Sequence, residues 1–135
     1  YWENDPQKEK IFDLAKNYEN IKFITLPGNV WFTDYIGNSI ATIYIPIDED
    51  FGMSPVESMS AWKPVIWVNE WWLKESIIHN KTWLLIDEKC SVDDIVKAVN
   101  FIDSNKSLEM RIDCEQRARY FSIDSFREQL LSYLK

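Results

Sequence analysis

The chain has 135 residues, of which 46% are hydrophobic and 27% charged, as is typical of a globular domain with one apolar core. Its net charge of −7 argues against a nucleic-acid partner, because proteins that bind phosphate backbones carry clustered basic side chains. No apolar run approaches the roughly 20 residues needed to span a bilayer, and the N-terminus resembles neither a signal nor a transit peptide. We therefore expect a cytoplasmic protein without a membrane span.

The first part of the chain alternates between helical and strand patterns. Asp5 and Pro6 mark the start of a helix that runs to about residue 17. The β-favouring run 20–26 predicts a strand, and residues 30–38 predict a short helix. The continuous apolar run 39–47 predicts a strand that is buried on both faces.

The second part repeats this alternation. Ser54 and Pro55 predict the start of a helix that ends near residue 61, and Glu57 lies three residues after Ser54, as in a capping box. Ser91 is expected to cap a later helix. The predicted strands are 63–68 and 82–87, and the predicted helices are 73–79, 92–102, 108–120 and 123–134.

Strands that alternate with helices through short loops predict an α/β fold. We expect a Rossmann-like parallel sheet of about four strands flanked by helices. The sequence shows no internal repeat and no linker, so we expect one domain over residues 1–135, with 108–135 as a C-terminal helical extension.

Metal and cofactor chemistry has little support in the sequence. The two cysteines, Cys90 and Cys114, are far apart, and the chain has a single histidine, so the ligand spacing of a zinc site is missing. We expect two free thiols in a reducing compartment, no bound metal and no cofactor.

The most informative stretch is the acidic turn "IDEDFGMSPVE", residues 47–57. In a parallel sheet, ligands bind beyond the carboxyl ends of the strands, where loops enter helix N-termini. The free N–H groups of a helix that begins near Ser54 suit a phosphate, and Gly52 permits close approach of the backbone. Glu49 and Glu57 stand on either side and could accept hydrogen bonds from sugar hydroxyls.

Two other interpretations of this turn stay open. The carboxylates could form a solvated turn in which Glu57 only caps the helix. Asp48 and Asp50 also match the acidic pair that metal-dependent glycosyltransferases use to hold a divalent ion.

The segment "EDFGMSPVE", residues 49–57, resembles the E-x7-E motif of the family 4 (group 1) glycosyltransferases, and "ESMSAWKPVIWVNEWWLKESIIHNKTWLLID" is similar to the segment that comes after that motif in family members. The resemblance covers residues 20–102 and is nearest to mannosyltransferase-like members. It implies the C-terminal, nucleotide-sugar-binding half of a GT-B enzyme that transfers a hexose with retention of configuration and without an essential metal.

The resemblance also implies residue roles. Glu49, the catalytic position, would hold the hydroxyls of the donor sugar, and Glu57 would hold the ribose of the nucleotide. The backbone of Phe51, Gly52, Met53 and Ser54 would bind the sugar and the phosphates.

The sequence departs from the family in two ways. The acceptor domain, and the Arg/Lys pair that neutralises the leaving diphosphate, would lie upstream of Tyr1, so the isolated chain is expected to be inactive. Tryptophan also stands where the family has glycine, at Trp62, Trp71, Trp72 and Trp83, and Trp67 replaces another small residue.

These indoles are large enough to fill part of the donor pocket. They also suggest a second interpretation: a non-catalytic, engineered folding or assembly module that forms homo-oligomers through a tryptophan-rich surface.

Overall fold

The structure is a computed structural model that describes residues 6–24, 32–45, 53–68, 82–87 and 89–134. The chain forms two compact units, Tyr1–Val30 and Trp31–Lys135. The described sheet and all the described helices except the first belong to the second unit.

The first unit contains helix α1 (Lys8–Ala15), in which Ala15 is buried. The ring of Phe12 stacks on that of Phe23, with the ring centroids 4.0 Å apart. Residues 21–24 do not form a strand, so the predicted strand over 20–26 is wrong for these four residues. Phe23 packs against a helix instead, and a strand is stable only where a neighbour completes its hydrogen bonds.

The second unit contains a parallel sheet of three described strands, β1 (Thr42–Tyr44), β2 (Val65–Val68) and β3 (Trp83–Ile86), in the order β1-β2-β3. Thr42 aligns with Val65, which in turn aligns with Trp83. These are three of the four predicted strands, and the predicted Rossmann-like α/β class is confirmed.

Helices separate and follow these strands. Their bounds are α2 (Phe32–Asn38), α3 (Met53–Ser60), α4 (Val92–Phe101), α5 (Ser104–Tyr120) and α6 (Ile123–Tyr133). Each corresponds to a predicted helix, whereas the helix predicted over 73–79 lies outside the described residues. Among the helices of the described ranges, none combines the length and the apolar character needed to cross a membrane.

The core surrounds β2, whose four residues are all buried. Met59 of α3 and Met110 and Cys114 of α5 pack in the same cluster, so α5 contributes to the core, whereas α6 has no buried residue. The prediction that residues 39–47 form a strand buried on both faces is wrong at Ile43 and Ile45, which are exposed. The reason is that Ile43 and Ile45, which are two residues apart, share one face of the strand, and this face is exposed, whereas Thr42 and Tyr44 on the other face are half-buried.

A buried polar network joins α3 to the first two strands. The Thr42 hydroxyl donates to the Ser58 hydroxyl over 2.8 Å, and Ser58 Oγ donates to the carbonyl oxygen of Lys63 over 3.2 Å. Ser58 is completely buried, so each of these hydrogen bonds satisfies a group that has lost contact with water. The network therefore fixes the position of α3 against β1 and the entry to β2.

Helix α4 begins as the sequence predicts. The Ser91 hydroxyl accepts a hydrogen bond from the Asp94 N–H, and the Asp94 carboxylate accepts one from the Ser91 N–H, which completes a capping box. The Asp94 carboxylate also accepts a hydrogen bond from the Ser91 hydroxyl over 2.7 Å. This bond, followed by the one from the Ser91 N–H, lowers the pKa of the Asp94 carboxyl below its usual range. The buried face of α4 consists of Ala98 together with Ile102, which follows the helix.

Candidate functional site

The predicted ligand site lies where helix α3 begins. In a parallel sheet this helix start belongs to the edge at which the strands end, because α3 follows β1 in the chain. Of the residues predicted for the site, the structure describes Met53, Ser54 and Glu57. The other three, Glu49, Phe51 and Gly52, lie outside the described residues, as do Asp48 and Asp50.

Helix α3 has a buried face and an exposed face. Pro55, Val56, Ser58 and Met59 are buried. Met53 and Glu57, which are four residues apart, are exposed and lie on the same side of the helix. Ser54 is half-buried, so the three described site residues all retain contact with solvent.

The start of α3 offers backbone donors that have no partner within the helix. The first N–H groups of an α-helix have no partner within the helix, and in α3 these include the N–H groups of Met53 and Ser54. Pro55 has no N–H and sits in the first turn, where its missing donor costs no helical hydrogen bond. Since α3 begins at Met53, Ser54 lies inside the helix, and the prediction that it starts the helix as a cap is wrong by about one residue.

Glu57 presents an exposed carboxylate one turn along the helix. Its backbone carbonyl accepts a hydrogen bond from the Ser60 hydroxyl over 2.7 Å. An ionised carboxylate accepts hydrogen bonds from hydroxyl groups, and such bonds are stronger than those between neutral groups. N–H groups at a helix start, which suit a phosphate, and an exposed carboxylate, which suits hydroxyl groups, therefore lie within about one turn of the same helix.

The opposite end of α3 has an unusual backbone. Trp62 has φ = 63° and is the only residue other than glycine with a positive φ in the described ranges. Its N–H donates to the Met59 carbonyl oxygen over 3.0 Å, and the Lys63 N–H donates to the Ser58 carbonyl oxygen over 3.0 Å. These two bonds form a Schellman motif, in which the left-handed position is usually glycine.

A cavity of about 460 Å³ lies at this same end of α3. Gly37, Trp62, Lys63, Ser107 and Arg111 contribute to its lining. The guanidinium carbon of Arg111 is 4.1 Å from the centre of a Trp62 ring, which is the geometry of a cation–π contact. Since α3 has eight residues and rises about 1.5 Å per residue, this cavity is separated by the length of the helix from the predicted ligand site.

Sequence reasoning found Trp62 as an unusual residue but missed Arg111 altogether. Arg111 lies 49 positions after Trp62 in the chain, on α5, and its helix carries no motif that would indicate a contact with the end of α3. Only the packing of α5 against α3 could have identified it.

The cysteines have no catalytic geometry. Cys114 is completely buried, and burial, together with the negative charge of Asp113, raises the pKa of its thiol to about 12. Its Sγ lies 3.6 Å from the Thr82 carbonyl oxygen, to which it donates. Because the thiolate is the nucleophile and the metal ligand, Cys114 is a structural residue. Within the described ranges no group of three or more histidine, cysteine, aspartate or glutamate side chains could hold a metal ion.

Comparison with known proteins identifies relatives that match most of this chain in sequence. The profile of a family described as glycosyl transferases group 1 matches residues 4–121. The chain is 33% identical over 139 residues to the alpha-1,3/1,6-mannosyltransferase ALG2 of Dictyostelium discoideum. The aligned region covers 98% of this chain and 33% of that protein. The chain is 35% identical over 144 residues to the Homo sapiens protein of the same name, covering 93% of this chain and 34% of that protein. The Mus musculus protein is 33% identical over 100 residues, covering 70% of this chain and 23% of that protein. The chain thus spans about a third or less of the length of these curated relatives.

Proposed function

The chain belongs to the group 1 glycosyl transferases, and from that premise we propose that its 135 residues bind the nucleotide diphosphate sugar of a retaining hexosyltransferase. The observation that supports this proposal is the start of α3. There, the N–H groups of Met53 and Ser54, which have no partner within the helix, are followed within about one turn by the exposed carboxylate of Glu57. A diphosphate joined to two sugars needs both kinds of contact.

Each residue has a distinct role in the proposed site. The N–H groups at the start of α3 bind the negatively charged phosphates, aided by the positive end of the helix dipole. The Glu57 carboxylate accepts hydrogen bonds from the ribose hydroxyls, and Glu49 accepts those of the donor sugar. Gly52 allows the backbone before α3 to approach the ligand closely.

Mannose is the sugar we propose for the donor. The three relatives are named alpha-1,3/1,6-mannosyltransferases, and their identity to this chain of 33–35% supports a related substrate. The acceptor, and the groups that stabilise the leaving diphosphate, would come from a part of the enzyme beyond these 135 residues. We therefore propose donor binding without sugar transfer for the isolated chain, in the cytoplasm.

Isothermal titration calorimetry with GDP-mannose, and with UDP-glucose for comparison, tests this proposal. Glu49→Gln and Glu57→Gln should each weaken donor binding by about 10- to 100-fold, because a hydrogen bond to a charged group contributes about 1.5–3 kcal/mol. Glu128→Gln, an exposed carboxylate on α6, is the matched control and should leave the affinity unchanged.

Equal affinity in all three variants would contradict the proposed site. A chain that binds neither donor while its fold is intact would contradict the proposed function. Turnover of GDP-mannose by the isolated 135 residues would contradict the proposed need for a further part of the enzyme.

The alternative function, an assembly module with a tryptophan-rich surface, stays a prediction, because Trp71 and Trp72 lie outside the described residues. Light scattering over a range of protein concentrations tests it. A molecular mass that stays that of a monomer would rule it out.

A further inference from the structure

The residue at position 62 occupies a backbone position that suits glycine. The Schellman motif at the end of α3 places Trp62 at φ = 63°. A left-handed conformation costs a residue with a Cβ atom roughly 1–2 kcal/mol, whereas glycine adopts it freely. The backbone hydrogen bonds that end α3 need the conformation and make no use of the side chain.

The indole of Trp62 contributes little that would justify this cost. It is 43% exposed, and its contact with Arg111 is a surface cation–π pair, worth about 0.5–1 kcal/mol. The packing of α5 against the core depends instead on Ser107, Met110 and Cys114, which are buried. The fold therefore requires the left-handed backbone at position 62 but not the tryptophan.

The composition points in the same direction. The chain has only three glycines but seven tryptophans. Glycine and tryptophan together make up about 7% of the residues, which is the share that glycine alone has in an average protein. The excess of tryptophan thus matches the deficit of glycine, as expected if glycine were replaced by tryptophan at these positions through one common cause.

We propose that these tryptophan positions are glycine in the protein made by its own cell, because their codon is UGA. UGA is a stop codon in the standard genetic code, but some bacteria read it as tryptophan and others as glycine. One reading of one codon would explain all the replacements at once, whereas independent substitutions would need a separate cause at each position. The positions are Trp2, Trp31, Trp62, Trp67, Trp71, Trp72 and Trp83. Trp67 is completely buried, so glycine at that position would require the core around β2 to repack.

Glycine at these positions would change the proposed donor site. Trp71 and Trp72 come shortly after β2 in the sequence, and ligands bind beyond the carboxyl ends of parallel strands. Two indoles next to a ligand would fill space, whereas two glycines would admit it close to the backbone. This consequence rests on the proposed function, but the identity of the residues does not.

The gene and the native protein give the decisive test. We expect UGA at all seven positions, and we expect peptides purified from the source cells to have the mass of glycine at position 62. UGG at position 62 would overturn the inference, and so would UGA combined with a tryptophan-containing native peptide.

A binding experiment separates this inference from the proposed function. Calorimetry compares the chain with its seven tryptophans against a variant in which all seven are replaced by glycine. Donor binding that is tighter in the glycine variant than in the chain with seven tryptophans supports both ideas. If gene and peptide show glycine but the folded glycine variant binds neither GDP-mannose nor UDP-glucose, the inference stands and the proposed function fails.

Discussion

The backbone at position 62 gives the sharpest test of the structure, through the pair of variants Trp62→Gly and Trp62→Ala. Both variants remove the indole and its contact with Arg111, so these losses cancel when the two are compared. The remaining difference is a Cβ atom at a residue with φ = 63°. A comparison of Gly with Ala therefore measures the cost of the left-handed conformation.

The size of the effect follows from two opposing terms. The left-handed conformation costs alanine roughly 1–2 kcal/mol relative to glycine. Glycine in turn lowers the stability by about 0.4–1 kcal/mol relative to alanine, because the unfolded chain has more conformational freedom with glycine at this position. We therefore expect Trp62→Gly to be more stable than Trp62→Ala by about 1 kcal/mol.

Urea unfolding followed by circular dichroism measures this difference. At a slope of about 2 kcal/mol per molar urea, it corresponds to a shift in midpoint of about 0.5 M. Ser60, an exposed residue in the last turn of α3, provides a control of opposite sign. In right-handed helical backbone, Ser60→Ala should be more stable than Ser60→Gly by up to about 1 kcal/mol.

The reasoning is refuted if Trp62→Ala is as stable as Trp62→Gly or more so. That result would mean that the end of α3 does not hold position 62 in the left-handed region. If Ser60 and Trp62 both preferred alanine, the Schellman motif would be absent and α3 would continue as a regular helix.

Three further predictions concern buried or capped groups. Ser58→Ala should lower the free energy of unfolding by about 1–3 kcal/mol, because it leaves buried polar groups without a partner. If Ser58→Ala lowers this free energy no more than Ser60→Ala does, the buried hydrogen-bond network around Ser58 is contradicted. Cys114 should resist iodoacetamide in the native protein while the half-buried Cys90 reacts, as judged by mass spectrometry. Burial raises the pKa of the Cys114 thiol from 9.0 to about 12. The contribution of this protonated thiol to the free energy of unfolding is therefore fully present below pH 9 and is lost as the pH rises towards 12. In urea titrations, Cys114→Ala should remove this dependence of the free energy of unfolding on pH. Ser91→Ala should destabilise α4 by about 1 kcal/mol and raise the pKa of Asp94 in an NMR titration; an unchanged Asp94 pKa would exclude the capping box.

Local sequence patterns predicted the elements whose stability is local. Ser91 and the three residues after it carry their own capping groups, so the start of α4 was predictable to the residue. The apolar runs that became β2 and β3 were also clear, because strands of a parallel sheet that is covered on both faces are nearly continuous apolar runs. The same kind of short-range evidence predicted a helix start near Ser54, and α3 begins at Met53; the ligand site at this helix start stays a prediction.

Features that depend on distant contacts were not predictable. The pattern at 20–26 favours a strand, but Phe23 stacks on Phe12, a contact that no periodicity signals. The exposure of Ile43 depends on which elements cover its face of β1, which is a property of the tertiary fold and not of the run 39–47. The contact between Arg111 and Trp62 depends on how α5 packs on α3, and helix packing is not encoded in either segment alone.

The order of the strands has a consequence for how the second unit folds. Because β1, β2 and β3 are neighbours in the same order as they occur in the chain, β2 pairs with β1 and β3 pairs with β2, in each case with the described strand synthesised just before it. None of these three strands has to wait for a later segment to be inserted between it and its neighbour, so each pairing closes a single crossover connection. The three strands can therefore pair one after another as the chain leaves the ribosome.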